Sequence, residues 1–171
     1  VKVHFKTTLG NKTFTNDEAV KMAGENPNHA TEDLYNAIKD GNHPQWDVYV
    51  QIMTPEEAKE YKFDPFDITK VWYHGDYPLI PLGKMVLNRN PENFFAEVEQ
   101  AAFAPSNFVP GIGPSPDRLL QGRLFSYEDP QRHRLGANHH QIPVNRAKNV
   151  KIANYERDSY MNVDGNGGSG P

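Results

Sequence analysis

The sequence predicts an α+β fold, on the evidence of alternating strand patterns, well-capped helices and long irregular segments. Strand-like and helix-like segments follow one another in mixed order, which is typical of α+β domains. The 13 glycines and 14 prolines together make 27 of the 171 residues, and they are concentrated after position 104. Because both residue types interrupt regular structure, the second half of the chain is expected to be rich in loops.

Four segments have the composition of β-strands. Residues 1–6 (VKVHFK) and 46–52 (WDVYVQI) alternate apolar with polar side chains, a period typical of half-buried strands. Residues 68–73 and 82–87 predict two more strands, and a further one is possible near Val150 to Tyr155. Such strands leave open edges, which self-contained domains cover or close into a barrel. Together with the absence of an initiator Met, this predicts that the chain is a segment of a longer protein.

Helix-start signals recur along the chain. Thr15 with Glu18, and Thr54 with Glu57, match the capping box, in which each side chain satisfies a free amide of the first turn. Ser115-Pro116-Asp117 precedes a helix on which Arg123 and Tyr127 lie one turn apart. The predicted helices begin near 16, 31, 55, 91 and 116; the first ends near 24, the second before 41, the third near 61, and the last near 135.

Composition excludes several classes of function. The chain has 18 Lys and Arg residues and 22 Asp and Glu residues, so its net charge is −4. This charge argues against nucleic acid as a partner, since phosphate binding needs clustered cations. The mean hydropathy is −0.75, and no apolar run approaches the roughly 20 residues of a membrane helix, so no membrane partner is expected. Because the chain contains no cysteine, disulfide scaffolds, Cys-ligated metals and thiol catalysis are excluded.

Arg123 and Tyr127 form the pair of greatest chemical interest. A free phenol ionises near pH 10, so a phenolate at neutral pH needs a nearby cation or a metal. A guanidinium one turn away favours the anion, and a phenolate is a hard ligand that holds ferric haem iron in some proteins. Taken from the residues alone, such a pair is more typical of surface or core-edge packing on a helix than of a metal ligand.

The stretch RLFSYEDPQRHRLG at 123–136 resembles the proximal haem-ligand signature of the haem catalases. The similarity extends along nearly the whole chain, through VKVHFKT, AGENP, DLYNAI, VYVQIMTPEEA, FDPFDITKVW, DYPLIPLGKMVLNRNPENFFAEVEQAAFAPSN, VPGIG, SPDRLLQGR and QIPVN. It is most similar to the small-subunit, animal-type, NADPH-binding catalases. The resemblance implies the second half of an eight-stranded antiparallel β-barrel with inserted helices over 1–89. Over 90–171 it implies a wrapping segment that contains the proximal helix.

The resemblance also implies roles for individual residues. Tyr127 matches the axial ligand of the haem iron and is both a catalytic and a metal-binding residue; Arg123 matches the Arg that hydrogen-bonds its oxygen. Arg134 matches the Arg that pairs with a haem propionate, and Gln131 stands where a His often reaches a propionate. Positions that line the haem pocket match Ile68, Phe103, Leu119 and Ser126. Positions of the NADPH site match Lys6, Val71, Trp72 and His74.

Four further positions depart from the family pattern. Pro130 replaces a common Thr inside the ligand helix, where it removes one backbone hydrogen bond and is expected to clash with the carbonyl of residue 126. Tyr73 replaces a Pro. His139 and His140 stand where Tyr and a variable residue are usual, and two adjacent His in a loop are expected to be exposed to solvent rather than to form a metal site.

For the intact protein, the resemblance implies a haem b enzyme that converts hydrogen peroxide to water and oxygen. It further implies a homotetramer located in the peroxisome, or also in the cytoplasm. None of the seven histidines has the family's distal motif around it, so the chain alone is expected to have little activity. Two alternatives stay open: a catalase-fold enzyme that rearranges fatty-acid hydroperoxides, and a haem-binding or purely structural fragment without a reaction.

Overall fold

The computed structural model describes residues 1–148, so the strand expected near Val150 to Tyr155 lies outside the described residues. Strands and helices are interspersed, as expected for an α+β fold, and no helix among the described residues is long and apolar enough to cross a membrane. The strands are Lys2–Thr7 (β1), Gln45–Gln51 (β2) and Ile80–Val86 (β3). The helices are Asn16–Glu25 (α1), His29–Lys39 (α2), Pro55–Glu60 (α3), Arg118–Ser126 (α4) and Glu128–Leu135 (α5), with a π-helical turn at Phe95–Glu99 and a 3-10 turn at His139–Gln141.

The chain divides into two compact units. The first contains Val1–Pro65 and Lys70–Asn90, and the second contains Phe66–Thr69 and the residues from Pro91 onward. The first unit therefore holds the whole sheet and α1 to α3. The second unit holds the π-helical turn, α4, α5 and the 3-10 turn.

The sheet of the first unit is antiparallel, with β2 between β1 and β3. Val3, Val50 and Ile80 are aligned across the three strands, so their side chains share one face. The register of β2 and β3 shifts at Val48/Tyr49, which places a β-bulge in the middle of the sheet. The predicted strands at 46–52 and 82–87 are confirmed as β2 and β3, within two residues at their ends.

Strand β1 is confirmed, but its buried face is the polar one. Lys2 and His4 are half-buried, whereas Val3 and Phe5 are exposed. The reason is a loop packed under the polar face: Lys2 Nζ donates to the carbonyl of Lys70 and lies 4.9 Å from the centre of the Trp72 ring. Alternation alone predicts a two-faced strand, and it does not say which face the neighbouring chain covers.

Helices α1 and α3 begin where the capping boxes predict. In α1, the Thr15 side chain accepts from the Glu18 amide and the Glu18 carboxylate accepts from the Thr15 amide; Thr54 and Glu57 repeat both bonds in α3. Helix α2 starts two residues before the predicted Thr31, and the chain after it turns at Gly41, whose φ of 80° favours glycine.

The strand predicted at 68–73 is wrong, because this segment consists of turns and irregular chain. The carboxylate of Asp67 accepts from the backbone amide and the hydroxyl of Thr69, which closes a local turn in place of a sheet ladder. Trp72 directs its indole N–H to the carbonyl of Pro65 at 3.0 Å. Local side-chain bonds thus replace the expected strand pairing.

The helix predicted from Asn90 is reduced to the π-helical turn and its flanking residues. The Glu97 carboxylate accepts from the amides of Glu92 and Asn93, and the Gln100 amide bonds to the carbonyl of Phe95, five residues earlier. Its apolar side chains stay exposed, Phe95 among them.

The helix predicted near 116–135 is observed as α4 and α5, separated only at Tyr127. Tyr127 keeps helical dihedral angles (φ −75°, ψ −31°), so the chain course continues through it. Pro130 has no amide to bond to the carbonyl of Ser126, which explains the break. It is the third residue of α5, in the first turn, where a proline is compatible with helical dihedral angles, so the expected clash is replaced by a tolerated new helix start.

Candidate functional site

Tyr127 and Arg123 meet as the helical spacing predicts. Arg123 Nη2 donates to the phenolic oxygen of Tyr127 at 3.0 Å, and the guanidinium carbon lies 4.8 Å from the centre of its ring. The Tyr127 side chain is 37% exposed, so an external ligand can reach it. A phenolic oxygen that already accepts a bond from a fixed cation is suited to carry negative charge toward a metal.

Arg134 and Gln131 bind the chain segment that precedes α4. Arg134 donates through Nη1 to the carbonyl of Glu99 at 2.6 Å and through Nη2 to Ala101 O and Gln131 Oε1, both at 2.7 Å. Gln131 Nε2 donates in turn to the carbonyl of Phe103 at 3.0 Å. Both residues predicted to reach propionates therefore fasten α5 to residues 99–103 in this structure.

The four residues predicted to line a haem pocket all belong to the second unit, as does Tyr127. Phe103 is 80% exposed, and Ile68, Leu119 and Ser126 are exposed as well. Large apolar side chains in contact with water are available to cover an apolar macrocycle. With the Arg-held phenolic oxygen of Tyr127, this donor set fits haem.

The four residues predicted to contact NADPH belong to the first unit. Trp72 is 5% exposed and its indole N–H is bonded to Pro65, so it is a core residue. His74 packs edge-on against His4, with 6.1 Å between ring centres, while Lys6 and Val71 are exposed. Lys2, His4 and Lys6 lie two residues apart on β1, so their side chains share one face of the sheet. His4 contacts His74 and Lys2 contacts Trp72, so Lys6, His74 and Trp72 lie on the same side of the sheet.

Sequence reasoning missed the residue that organises this side of the sheet. Gln51 is fully buried and donates through Nε2 to the carbonyls of Trp72 and Tyr77, while its Oε1 lies 2.9 Å from His4 Nε2. The strand pattern predicts Gln51 as an outward polar residue. The signal that the sequence offers is Trp72, a large apolar residue that is expected to be buried against other side chains.

The expectation that both histidines are exposed to solvent is wrong for His139, whereas the His140 side chain is 41% exposed. The His139 side chain is 2% exposed, and both rings turn their Nε2 atoms toward Glu128. Burial, reinforced by the neighbouring His140, lowers the pKa of His139. The 3-10 turn folds back onto the start of α5, which the loop-like sequence does not predict.

Comparison with known proteins decides the family. The family model described as "Catalase" matches residues 1–171. The chain belongs to the catalase family. The catalase of Methanosarcina barkeri is 60% identical over 171 residues, and catalase-A of Dictyostelium discoideum is 58% identical over 173; each alignment covers 100% of this chain, but 34% and 35% of those proteins.

Solved catalases share the fold. A fungal catalase superposes with a TM-score of 0.92 at 54% identity, covering 99% of this chain and 34% of that one. Catalase A of Saccharomyces cerevisiae gives 0.91 at 55% identity, with 99% and 35% covered. The chain thus spans about a third of the length of the catalases it matches, and neither alternative class of function is favoured by them.

Proposed function

We propose that this chain supplies the proximal haem side of a catalase that converts two hydrogen peroxide molecules into two of water and one of oxygen. The observation that carries the proposal is the Arg123–Tyr127 pair, a phenolic oxygen held at 3.0 Å by a guanidinium on an accessible helix junction. Membership of the catalase family supports the reaction.

In the proposed site, haem b supplies the iron redox chemistry. Tyr127 binds the iron through its phenolic oxygen, and Arg123 stabilises negative charge on that oxygen through a charge-assisted hydrogen bond. Phe103, Leu119 and Ile68 cover the macrocycle and exclude water, with Ser126 beside the ligand. Arg134 and Gln131 pair with propionates, which requires them to exchange backbone carbonyl acceptors for carboxylate oxygens.

A haem titration of the full chain tests this proposal. The parent chain is expected to bind one haem with a high-spin ferric, phenolate-ligated visible spectrum. Tyr127→Phe is expected to lose that spectrum, because a phenyl ring has no oxygen to offer the iron. Tyr35→Phe, at an exposed tyrosine of α2, is the matched control and should titrate like the parent. No haem uptake, or an unchanged spectrum in Tyr127→Phe, contradicts the assignment.

We further propose that Lys6, Val71, Trp72 and His74 contribute to an NADPH site, with Lys6 facing a phosphate. The placement of Lys6 and His74 on one side of the sheet supports this. Titration of NADPH fluorescence should show binding that Lys6→Ala weakens and Lys12→Ala, in the loop after β1, does not. Equal affinities in the two variants would remove Lys6 from the site.

The assembly and location proposed for the intact protein are those implied by the resemblance. We propose a homotetramer located in the peroxisome and also in the cytoplasm. Sedimentation of the intact protein and imaging of its tagged form test the two statements separately.

A further inference from the structure

Glu128, His139 and His140 bring three potential metal-ligand atoms together. Glu128 Oε2 lies 3.4 Å from His139 Nε2 and 3.3 Å from His140 Nε2. One ligand atom from each residue lies within 4.8 Å of the other two. The cluster joins the first residue of α5 to the 3-10 turn, and all of it belongs to the second unit.

The carboxylate of Glu128 is fixed by one oxygen and leaves the other available. Oε1 accepts from the hydroxyl of Ser106 at 3.2 Å. Oε2 is buried and has no hydrogen-bond partner among residues 1–148, although two imidazole nitrogens lie near it. A buried carboxylate oxygen without a bond is costly, so a cation at this point would remove an energetic penalty.

His139 is held in the tautomer that a metal ligand needs. Its Nδ1 lies 3.1 Å from the carbonyl of Gly136, which can only accept, so Nδ1 carries the proton of this bond. In the neutral ring Nε2 then carries no proton, and its lone pair is directed toward the Glu128 carboxylate. A backbone carbonyl bound to the second ring nitrogen is the usual outer-shell partner of a metal-bound His.

We propose that Glu128, His139 and His140 form a binding site for a divalent transition-metal ion, with Zn²⁺ as the best match. Imidazole and carboxylate ligands suit Zn²⁺, and ligand bonds of roughly 2.0–2.1 Å in a tetrahedron place ligand atoms about 3.3–3.4 Å apart. That spacing matches the distances of 3.4 and 3.3 Å from Glu128 Oε2 to the two imidazole nitrogens. Two imidazoles make Mg²⁺ and Ca²⁺ poor matches, because those ions prefer oxygen ligands.

Three protein ligands leave the fourth position of the tetrahedron to water. The ion would clamp the 3-10 turn against the start of α5, directly after Tyr127. The site uses none of the residues assigned to haem, so it stands or falls independently of the proposed function.

The test is titration of the haem-free full chain with Zn²⁺ by calorimetry and with Co²⁺ by visible absorption. One ion per chain is expected, with the intense bands of tetrahedral Co²⁺ and an upward shift of the unfolding temperature with Zn²⁺. His140→Ala and Glu128→Gln are expected to weaken binding by about 100-fold or more, since even the loss of outer-shell partners costs about 10–100-fold.

His133→Ala is the matched control, because His133 is an exposed histidine of α5 outside the cluster. Its affinity should stay within about twofold of the parent, as for an independent site. Circular dichroism of each variant checks that it is folded, and His140, the more exposed ligand, is the variant expected to fold in any case. The absence of stoichiometric binding by the parent, or equal loss in His133→Ala and His140→Ala, overturns the proposal.

Discussion

Gln51 shows how much a single buried side chain supports in the first unit. Its amide joins β2 to the segment that carries Trp72 and Tyr77, and its oxygen meets His4 of β1. Few apolar side chains are buried among the described residues, Trp72 and Ile142 being the ones that are, so polar bonds carry a large share of the packing here. A buried amide bonded on both ends is costly to replace.

Gln51→Leu is therefore expected to lower the free energy of unfolding by about 2 kcal/mol, because it keeps the volume and leaves buried carbonyls without donors. Urea unfolding of the chain measures the change. Gln45→Leu, at the other end of the same strand, should change stability by less than about 0.5 kcal/mol. Equal effects of the two variants would show that strand propensity, rather than the amide bonds, is responsible.

Asp76 gives a pH-dependent prediction. Its Oδ2 accepts from Lys62 Nζ at 2.8 Å and from Tyr61 Oη at 2.9 Å, and these bonds lower the pKa of Asp76 below the ordinary 3.8. A lowered folded-state pKa adds stability above the ordinary value, and this stability is lost as the pH falls through the folded-state pKa. An NMR titration of the carboxyl should show the lowered pKa. Lys62→Ala should move it back toward 3.8 by more than Tyr61→Phe does, since the Lys62 bond is the larger cause.

Arg123 should affect haem binding through Tyr127 and not by itself. Arg123→Leu removes the charged donor to the phenolic oxygen, which is expected to weaken haem affinity by about tenfold while a phenolate-type spectrum persists at higher haem concentration. Arg118→Leu, at the start of the same helix, serves as the control. Parent-like affinity in Arg123→Leu would leave the 3.0 Å hydrogen bond without a role in the site.

Among the elements, the junction between α4 and α5 shows why a proline inside a helical pattern did not prevent the helix. Pro130→Ala restores an amide that can bond to the carbonyl of Ser126, but it also loses the restriction that Pro places on the unfolded chain. The two effects nearly cancel, so the stability should change by less than about 1 kcal/mol. Gly122→Pro, in the interior of α4, should cost about 3 kcal/mol or more. Unfolding monitored by circular dichroism separates the two variants, and a large loss in Pro130→Ala would contradict a tolerated helix start.

Elements with local signals could be predicted from the sequence, and elements fixed by distant contacts could not. The capping boxes at Thr15 and Thr54 act within four residues, and both helices begin where they predict. The segment at 68–73 is an exception, because the turn closed by Asp67 and Thr69 is local, but the strand-like composition of the segment gives no sign of it. The same distinction applies to the site: the Arg123–Tyr127 spacing is local, whereas the approach of His139 to Glu128 depends on how the chain turns back after α5.

For the molecule as a whole, the sheet presents an apolar face to solvent. Val3, Phe5 and Ile80 are all exposed on the side that carries Val48 and Val50. Contiguous apolar surface and open strand edges favour self-association. Phe5→Thr keeps strand propensity and is expected to reduce both light scattering and binding of a hydrophobic dye. Leu9→Thr changes an exposed side chain beyond the strand and should leave both unchanged.

The placement of the histidines also bears on activity. Peroxide cleavage needs a group that moves a proton between the two peroxide oxygens, a role that the resemblance gives to the family's distal motif. Among the described histidines of the second unit, His133 is exposed on α5, and His139 and His140 face Glu128, so their placement suggests no such role.

The haem-loaded chain is therefore expected to release oxygen from peroxide at about the rate of free haem, even where its spectrum shows Tyr127 ligation. An oxygen electrode measures this directly, with Tyr127→Phe as the comparison. Turnover close to that of an intact catalase would mean that a residue of this chain performs the proton transfer, and His133→Ala would be the first variant to examine.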